Sequence, residues 1–209
     1  MTIAPRVFLV DDQPAVLKAL SRLLVLASFD VASFLSAQEF LDSGNADAPG
    51  CLVLDIAMPG MTGMELQQAL AERASALPVI FLTGHGDIDT CVQAMKVGAA
   101  DFLTKPFDGD KLLRTVQVAL EKNRQTRMER RELDNIQEQF ATLTPRERAV
   151  LALVVEGKLN KQAAAELGTV EKTIKFHRAS VMKKMRVRSL AELVRLAERL
   201  GIRGSANEL

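Results

Sequence analysis

Residues 51–60 read CLVLDIAMPG, so that four apolar residues run directly into the carboxylate of Asp55 and a Pro-Gly pair follows. A short, continuous apolar run of this kind is typical of a strand buried on both faces, as strands are in parallel sheets. Similar runs lie at 7–10, 30–34, 78–82 and 101–103. Helical patterns lie at 15–27, 37–42, 63–73, 88–96 and 109–121. Because parallel strands need crossover connections, this alternation predicts an α/β doubly wound sheet of five parallel strands.

Length and composition indicate more than this one domain. The chain has 209 residues, of which 48% are hydrophobic and 25% are charged, a composition typical of globular rather than disordered proteins. We therefore expect two domains with a core each. The predicted boundaries are 1–122 for the α/β domain, 123–141 for a helical linker and 142–209 for a second domain.

The linker and the second domain read as helices throughout. Residues 123–141 are charged, rich in Gln and free of Gly and Pro, which favours a helix over a flexible tether. We interpret it as a solvated spacer, although Leu133, Ile136 and Phe140 recur at helical spacing. From Thr144 onward, the sequence predicts four short helices and no strands. The first helix begins with a capping box of Thr144 and Glu147. The second domain is therefore predicted to be a small all-α, four-helix domain.

Charge separates the two predicted domains. Residues 1–122 contain about nine Lys and Arg against about fifteen Asp and Glu, whereas residues 142–209 contain about fourteen against about seven. A small basic domain favours nucleic acid as a partner. Acidic residues at strand ends favour a cation.

Polar side chains follow four of the five predicted strands. Asp11 and Asp12 follow the first strand, Asp55 ends the third, Thr83 follows the fourth and Lys105 follows the fifth. Because the carboxyl ends of parallel strands share one edge of the sheet, we expect these residues to converge there. Three carboxylates stay ionised together only around a cation, and oxygen ligands favour a hard ion such as Mg²⁺.

The same edge suits nucleophilic chemistry on phosphorus. The carboxylate of Asp55 can form an acyl-phosphate if the charge of the phosphoryl group is neutralised. The Lys105 ammonium and a divalent cation supply positive charge, and the Thr83 hydroxyl can donate to a phosphoryl oxygen.

Four segments carry a resemblance to a known family: VFLVDD, LVLDIAMPGMTGMEL, VIFLTGHGD and GAADFLTKPF. They resemble the receiver domains of two-component response regulators, which have the flavodoxin-like fold, and the resemblance covers residues 5–122. It implies that a sensor histidine kinase phosphorylates Asp55. It also implies Mg²⁺ or Mn²⁺ held by Asp12, Asp55 and the Ala57 carbonyl, with Asp11 acting through water.

The resemblance further implies a cis peptide between Lys105 and Pro106 and a switch formed by Thr83 and Phe102. The family more often has Tyr at position 102. Because Phe102 cannot form a hydrogen bond, we expect this chain to carry its signal through packing alone.

A phosphatase of the haloacid-dehalogenase type is a competing enzyme hypothesis. Those enzymes also use an Asp nucleophile with Mg²⁺, Thr and Lys, but they need a second Asp two residues later as acid and base. That position is Ala57 here. Without a placed base the acyl-phosphate should persist, which favours a signalling protein over an enzyme.

Residues 160–185 predict a helix-turn-helix with Gly168 in its turn. On its second helix we expect one stripe to be buried, formed by Ile174, His177 or Arg178, Val181 and Met185. The opposite face predicts contacts with the major groove of DNA and with phosphates. The predicted DNA-binding residues are Lys172, Lys175, Phe176, Ala179, Lys183 and Lys184.

Residues 142–202 also resemble the LuxR/NarL-type DNA-binding domain, and the whole chain looks most like the FixJ-type regulators. The family usually has Ser at the N-cap where this chain has Val170, so we expect Thr169 to cap the helix one residue early. The resemblance implies a double-stranded DNA operator as a partner, and RNA polymerase with it. Two other hypotheses stay open, a basic domain that binds a protein and an RNA-binding antiterminator.

The last predicted helix indicates self-association. Its apolar residues form a single stripe, and a small domain leaves the outer edge of that stripe without a partner. We expect a homodimer on phosphorylation, with receivers paired through 88–96 and 109–121. The predicted dimerisation residues are Leu190, Leu193, Val194 and Ala197.

Several features argue for a cytoplasmic protein without a membrane partner. The apolar run at 7–10 is too short for a signal peptide or a membrane span. We interpret Cys51 and Cys91 as core thiols. His177 has no neighbouring His or Cys and is predicted to pack or contact phosphate, while His85 is predicted to lie in a loop near Thr83.

Overall fold

The computed structural model describes residues 5–84 and 95–202. The chain divides after Met128 into two compact units. In the first unit, the strands are β1 Arg6–Val10, β2 Asp30–Phe34, β3 Gly50–Asp55, β4 Val79–Thr83 and β5 Asp101–Thr104. They pair in parallel in the order β2-β1-β3-β4-β5. The predicted five-stranded parallel sheet is confirmed within the described residues, and no strand end shifts by more than one residue.

Helices connect the strands and cover both faces of the sheet, as the doubly wound prediction required. They are α1 Pro14–Leu26, α2 Ala37–Asp42, α3 Gly63–Glu72 and α4 Gly109–Ala141, with a short 3₁₀ turn at Asn45–Asp47. The helix predicted at 88–96 lies mostly outside the described residues, as do His85 and Cys91.

Two cores lie on opposite faces of the sheet because successive side chains of a strand point to opposite sides. On β3, Leu52 and Leu54 pack into a core with α3, whereas Cys51 and Val53 pack into a core with α1 and α4. Every residue of β3 is buried, which explains its continuous apolar sequence. Cys51 is a core thiol as predicted, and burial raises its pKa to about 12.

The predicted linker is the second half of α4, and it is not a bare spacer. Asn123 is buried; its amide donates to the Ala76 carbonyl at 2.7 Å and accepts from the Gly50 amide at 3.1 Å. These bonds tie the start of the segment to the first unit. Further along, Ile136 is buried in the core of the second unit, and Phe140 packs against that core. The expectation of a solvated spacer is wrong for these residues, because each has a partner in a folded unit.

The second unit is all α-helical within the described residues. Its helices are α5 Pro145–Val155, α6 Asn160–Glu166, α7 Glu171–Lys184 and α8 Leu190–Arg199. The predicted capping box at Thr144 and Glu147 is confirmed, since each side chain accepts a hydrogen bond from the backbone amide of the other residue. Gly168 has a φ of +61°, so the turn between α6 and α7 uses a conformation that favours glycine.

Candidate functional site

Strand order directs attention to the edge where β1 and β3 end. After β1 the chain continues to β2 on one side of the sheet, and after β3 it continues to β4 on the other side, so the strand order reverses between β1 and β3. Ligands of open α/β sheets bind at such a reversal. Asp11 and Asp12 directly follow β1, and Asp55 is the last residue of β3. The predicted convergence of strand-end residues therefore falls at the crevice of this fold.

Asp55 lies in this crevice with both carboxylate oxygens hydrogen-bonded. Its side chain is 7% exposed. Oδ1 accepts from the Lys105 ammonium at 2.7 Å, and Oδ2 accepts from the Ala57 backbone amide at 3.1 Å. The two bonds hold the carboxylate in one orientation at the end of a rigid, wholly buried strand.

Lys105 joins Asp55 to Asp11. Its ammonium also donates to Asp11 Oδ2 at 2.9 Å, and the other oxygen of Asp11 accepts from the Gln13 amide at 2.9 Å. Lys105 follows β5, and its peptide bond to Pro106 is cis, as expected. Residues 94 positions apart in the chain thus meet because both follow parallel strands.

Burial and charge oppose each other in this group. Burial raises the pKa of Asp55 above its usual value, and the hydrogen bond and charge of Lys105 offset only part of that effect. Burial would lower the pKa of Lys105, but hydrogen bonds to Asp55 and Asp11 and their charges hold it above the usual value. The single Lys105 ammonium therefore does not fully compensate the negative charge of the buried Asp55 carboxylate.

Three other predicted residues lie in strands of the same sheet or directly after one. Asp12 is half-buried, Thr83 ends β4 and is buried, and Phe102 in β5 is half-buried against the core that includes α3. Within the described residues, no three acidic, His or Cys side chains form a cluster that could hold a metal ion. The structure therefore brings Asp11 and Asp55 together around Lys105 and does not bring Asp12 into a three-carboxylate cluster with them.

Gly63 is a contributor that sequence reasoning missed. A Cβ atom added to this first residue of α3 would lie 2.3 Å from the carbonyl oxygen of Asp55, far inside contact distance. Its amide donates to the Ile56 carbonyl at 3.0 Å. Only glycine lets α3 begin this close to the backbone of Asp55. The sequence signal that could have pointed to Gly63 is its place in the segment PGMTGMEL. No sequence pattern, however, reveals which part of the backbone a glycine approaches.

In the second unit, α7 has the two faces that the sequence predicted. Ile174, Val181 and Met185 are buried, whereas His177 and Arg178 are half-buried. The opposite face is exposed at five predicted positions, namely Lys172, Lys175, Phe176, Ala179 and Lys183. The structure thus presents one continuous surface of mixed basic and apolar character along α7.

Ion pairs divide the lysines of this surface. Lys175 pairs with Glu171 one turn earlier at 2.9 Å, with both side chains exposed. Lys184 differs, because its ammonium donates to the buried Glu147 of α5 at 2.6 Å and to the Thr142 carbonyl at 3.2 Å. Lys184 is therefore engaged inside its own unit, which the prediction of a phosphate contact did not foresee.

The structure also corrects the predicted dimerisation stripe on α8. Leu193 and Ala197 are fully buried within the second unit, and Leu193 belongs to its core. They cannot be covered by a second copy, because helix α8 already packs this side against α5. Leu190 is exposed and Val194 is half-buried, so these two remain available. Helical spacing alone could not separate the two sides of this stripe.

Comparison with known proteins accounts for both units. A family model described as the response regulator receiver domain matches residues 7–117, more than half of the chain. A second model, described as bacterial regulatory proteins of the luxR family, matches residues 141–197. The chain belongs to the response regulator family.

Individual proteins agree with this assignment. The response regulator is 47% identical to nodulation protein W of Bradyrhizobium diazoefficiens over 97% of this chain and 89% of that protein. It is 40% identical to transcriptional regulatory protein FixJ of the same species, over 97% of this chain and 98% of FixJ. The solved structure of response regulator StyR matches with a TM-score of 0.87 and 45% identity, covering 94% of this chain and 100% of that one.

The two units therefore have distinct tasks. The response regulator has a receiver domain, which implies a sensor kinase as partner, and a LuxR-family domain, which implies DNA binding. It is a transcriptional regulator of a two-component system. Within the part of the chain that the structure describes, no helix is long and apolar enough to cross a membrane.

Proposed function

We propose that Asp55 is the phosphoacceptor of this response regulator and that a phosphohistidine of the sensor kinase is the donor. A carboxylate oxygen of Asp55 attacks phosphorus, the bond between phosphorus and the imidazole nitrogen breaks, and the electron pair remains on the imidazole. The observation that carries this proposal is the position of Asp55. It lies buried at the strand-order reversal, with its Oδ1 2.7 Å from the Lys105 ammonium.

Lys105 and Thr83 would stabilise the transferred group. The ammonium is already held between Asp55 and Asp11, so it needs little movement to reach a phosphoryl oxygen on Asp55. Thr83 ends the neighbouring strand β4 and can donate its hydroxyl. Phe102, which pairs with Phe81 of β4 two residues before Thr83, is the proposed responding residue and acts through packing because it has no hydrogen-bonding group.

The donor atoms at this edge fit a hard divalent cation, Mg²⁺ or Mn²⁺. They are carboxylate and carbonyl oxygens, and burial leaves the carboxylate of Asp55 short of compensating charge. Asp12, Asp55 and the Ala57 carbonyl would hold the ion, with Asp11 joined through water. A bound cation would supply positive charge next to the phosphoryl oxygens. Lys105 and the Ala57 backbone amide orient the Asp55 carboxylate at this edge.

We further propose that the protein is a signalling switch without turnover of its own. Asp55 is followed two residues later by Ala57, whose backbone amide donates a hydrogen bond to the carboxylate. Its methyl side chain cannot accept a proton from an attacking water, as a general base would. The phosphorylated chain would then bind an operator in the bacterial cytoplasm as a homodimer and contact RNA polymerase.

DNA binding is assigned to the exposed face of α7. The proposed base contacts are Lys175, Phe176 and Ala179, and the proposed phosphate contacts are Lys172 and Lys183. The pairing of Lys184 with Glu147 favours a structural role for Lys184 over a phosphate contact. Dimer formation would use the exposed Leu190 and the half-buried Val194, together with the receiver surfaces at 88–96, mostly outside the described residues, and 109–121.

Trapping of the acyl-phosphate tests the assignment of Asp55. Purified chain is treated with a small-molecule phosphodonor and Mg²⁺, and labelling is compared among wild type, Asp55→Asn and Asp30→Asn. Asp30 is an exposed carboxylate paired with Arg6, so its substitution is a matched control. We expect labelling to vanish only in Asp55→Asn. Full labelling of that variant would refute the assignment.

A further inference from the structure

Phe176 is exposed although the other phenylalanines are packed. All nine Phe residues lie in the described ranges, and eight of them are buried or half-buried. Phe176 is 71% exposed on α7, and its ring meets His177 edge-on with 5.7 Å between the ring centroids. A single exposed apolar residue is ordinary on a protein surface. The location of Phe176 therefore decides what its exposure means.

Phe176 lies at the centre of the proposed DNA face. Lys172 is one helical turn before it and Ala179 is one turn after it, and both are exposed. Lys183 follows after another turn. The phenyl ring and the Ala179 methyl thus form a small apolar area between ammonium groups. Residues 142–209 carry about twice as many basic as acidic side chains, which favours a polyanion as the molecule that covers this area.

The chemistry of the major groove restricts what a phenyl ring can recognise there. Guanine, adenine and cytosine are distinguished at their exposed edges by hydrogen-bonding groups, whereas thymine also presents its 5-methyl group. A phenyl ring placed on a polar edge would remove water without replacing its hydrogen bonds. Against a thymine methyl it would bury apolar surface on both partners.

We infer that Phe176 is a specificity-determining residue that packs against thymine 5-methyl groups, so that each half-site of the operator contains a thymine at this position. The inference rests on the proposed use of α7 for DNA binding and adds the base that its central residue prefers. Lysines on either side position the helix, while Phe176 distinguishes thymine from the other bases.

Replacement of thymine by uracil tests the inference, because uracil pairs identically but lacks the methyl group. Duplex sites are first selected from a random pool by the full chain treated with beryllium fluoride as a phosphoryl mimic. Each thymine of the selected site is then replaced singly by deoxyuridine. At one thymine of each half-site, we expect the replacement to lower the affinity of the wild-type protein about fourfold. This is the effect of losing one buried methyl group. The same replacement should leave the affinity of Phe176→Ala unchanged.

Two controls complete the experiment. Lys183→Ala should lose affinity by the same factor on thymine and uracil sites, because it contacts the backbone in either case. Phe176→Leu should retain part of the thymine preference. Equal sensitivity of wild type and Phe176→Ala to every uracil replacement would overturn the inference. Selection of no duplex at all would instead refute DNA recognition by α7, so the two failures are distinguishable. Because Phe176 is exposed, urea unfolding of Phe176→Ala should match wild type, which verifies that the variant folds.

Discussion

At the scale of single residues, the neighbours of each lysine determine what its ammonium group can do. Lys105 lies between two buried carboxylates, and Lys184 donates to the buried Glu147. Removing one partner of such a buried pair is costly, since it leaves a charge without compensation. Lys175 pairs with an exposed Glu171, and such an exposed ion pair contributes little to the stability of the fold. The Lys183 ammonium has no ion pair or hydrogen bond within the described ranges, so phosphate can approach it directly.

These differences predict distinct effects on DNA binding. Lys175→Ala should lower operator affinity by about 1–3 kcal/mol if Lys175 leaves Glu171 to contact a base edge. Lys183→Ala should weaken specific and nonspecific duplexes alike and reduce the salt slope by about one phosphate. Titrations of operator and random duplex at several salt concentrations measure both. Proportional losses on both duplexes in both variants would contradict this division.

Glu147 predicts an acid-sensitive contribution to the stability of the DNA-binding domain. Hydrogen bonds from Lys184, Ser180 and the Thr144 amide lower the pKa of Glu147 from 4.5 to about 2. A carboxyl group whose pKa is lowered by folding stabilises the folded state fully above its unfolded pKa. That contribution is lost as pH falls from about 4.5 towards about 2, and we expect it to be about 2–3 kcal/mol at most.

The measurement is urea unfolding of wild type and Glu147→Gln between pH 3 and pH 7, followed by circular dichroism. The variant should be less stable at pH 7, and the difference from wild type should shrink as the pH falls. Glu156→Gln is the control, since within the described residues the half-buried Glu156 side chain forms no hydrogen bond or ion pair. A difference for Glu147→Gln that stays constant with pH would rule out this origin.

At the scale of elements, the beginnings of α5 and α7 differ in how their backbone amides are satisfied. Helix α5 has the reciprocal bonds of Thr144 and Glu147. Helix α7 has Val170 at its N-cap, where no side chain accepts a backbone amide. The expectation that Thr169 would cap this helix is wrong, because the Thr169 amide bonds to the Ala164 carbonyl and Thr169 ends the turn after α6. The proposed DNA-reading helix therefore begins without a side-chain cap.

Val170→Ser should stabilise the DNA-binding domain by about 1 kcal/mol. Val170 has extended backbone angles, with φ of −101° and ψ of 152°, which a capping Ser adopts without strain. Its side chain is exposed, so little packing is lost. Urea unfolding of Val170→Ser and Val170→Ala makes the comparison, because Ala shortens the side chain without adding an oxygen. An equal gain in both variants would exclude capping as its cause.

At the scale of the whole molecule, an acidic receiver domain and a basic DNA-binding domain share one chain. The proposed site of phosphorylation is the carboxyl edge of a sheet, and the proposed DNA-binding surface is the exposed face of a helix in another unit. Association of two chains is a way for phosphorylation to alter binding without new contacts to bases. A dimer reads two half-sites related by two-fold symmetry, and tethering multiplies their affinities.

We therefore expect phosphorylation of Asp55 to shift the protein from monomer towards dimer and to tighten binding to an inverted repeat far more than to a half-site. Val194→Arg should remove the gain on the inverted repeat and leave half-site affinity unchanged, since it alters the remaining surface of α8. Sedimentation with and without beryllium fluoride, and titrations of both duplexes, test these steps. A chain that stays monomeric and gains equally on both duplexes would argue against the mechanism.

The sequence by itself determined the elements and the residues at their ends. The alternation of apolar runs and helical patterns predicted the parallel sheet, and parallel strands necessarily bring Asp11, Asp55 and Lys105 to one edge. Capping at Thr144 and the buried stripe with Ile174 and Val181 were also predictable, because they depend on spacings of three or four residues within one helix.

Only the tertiary structure decided which partner each side chain meets across the chain. Lys184 bonds to Glu147, which is 37 residues away, and no local pattern distinguishes this lysine from Lys183. Leu193 belongs to the core of its own unit and not to a surface for a second copy, because the helices packed around α8 decide which part of its apolar stripe is covered. Gly63 matters through the backbone of Asp55 that it approaches. These contacts depend on how the elements pack in space, and the periodicity within one segment does not specify that packing.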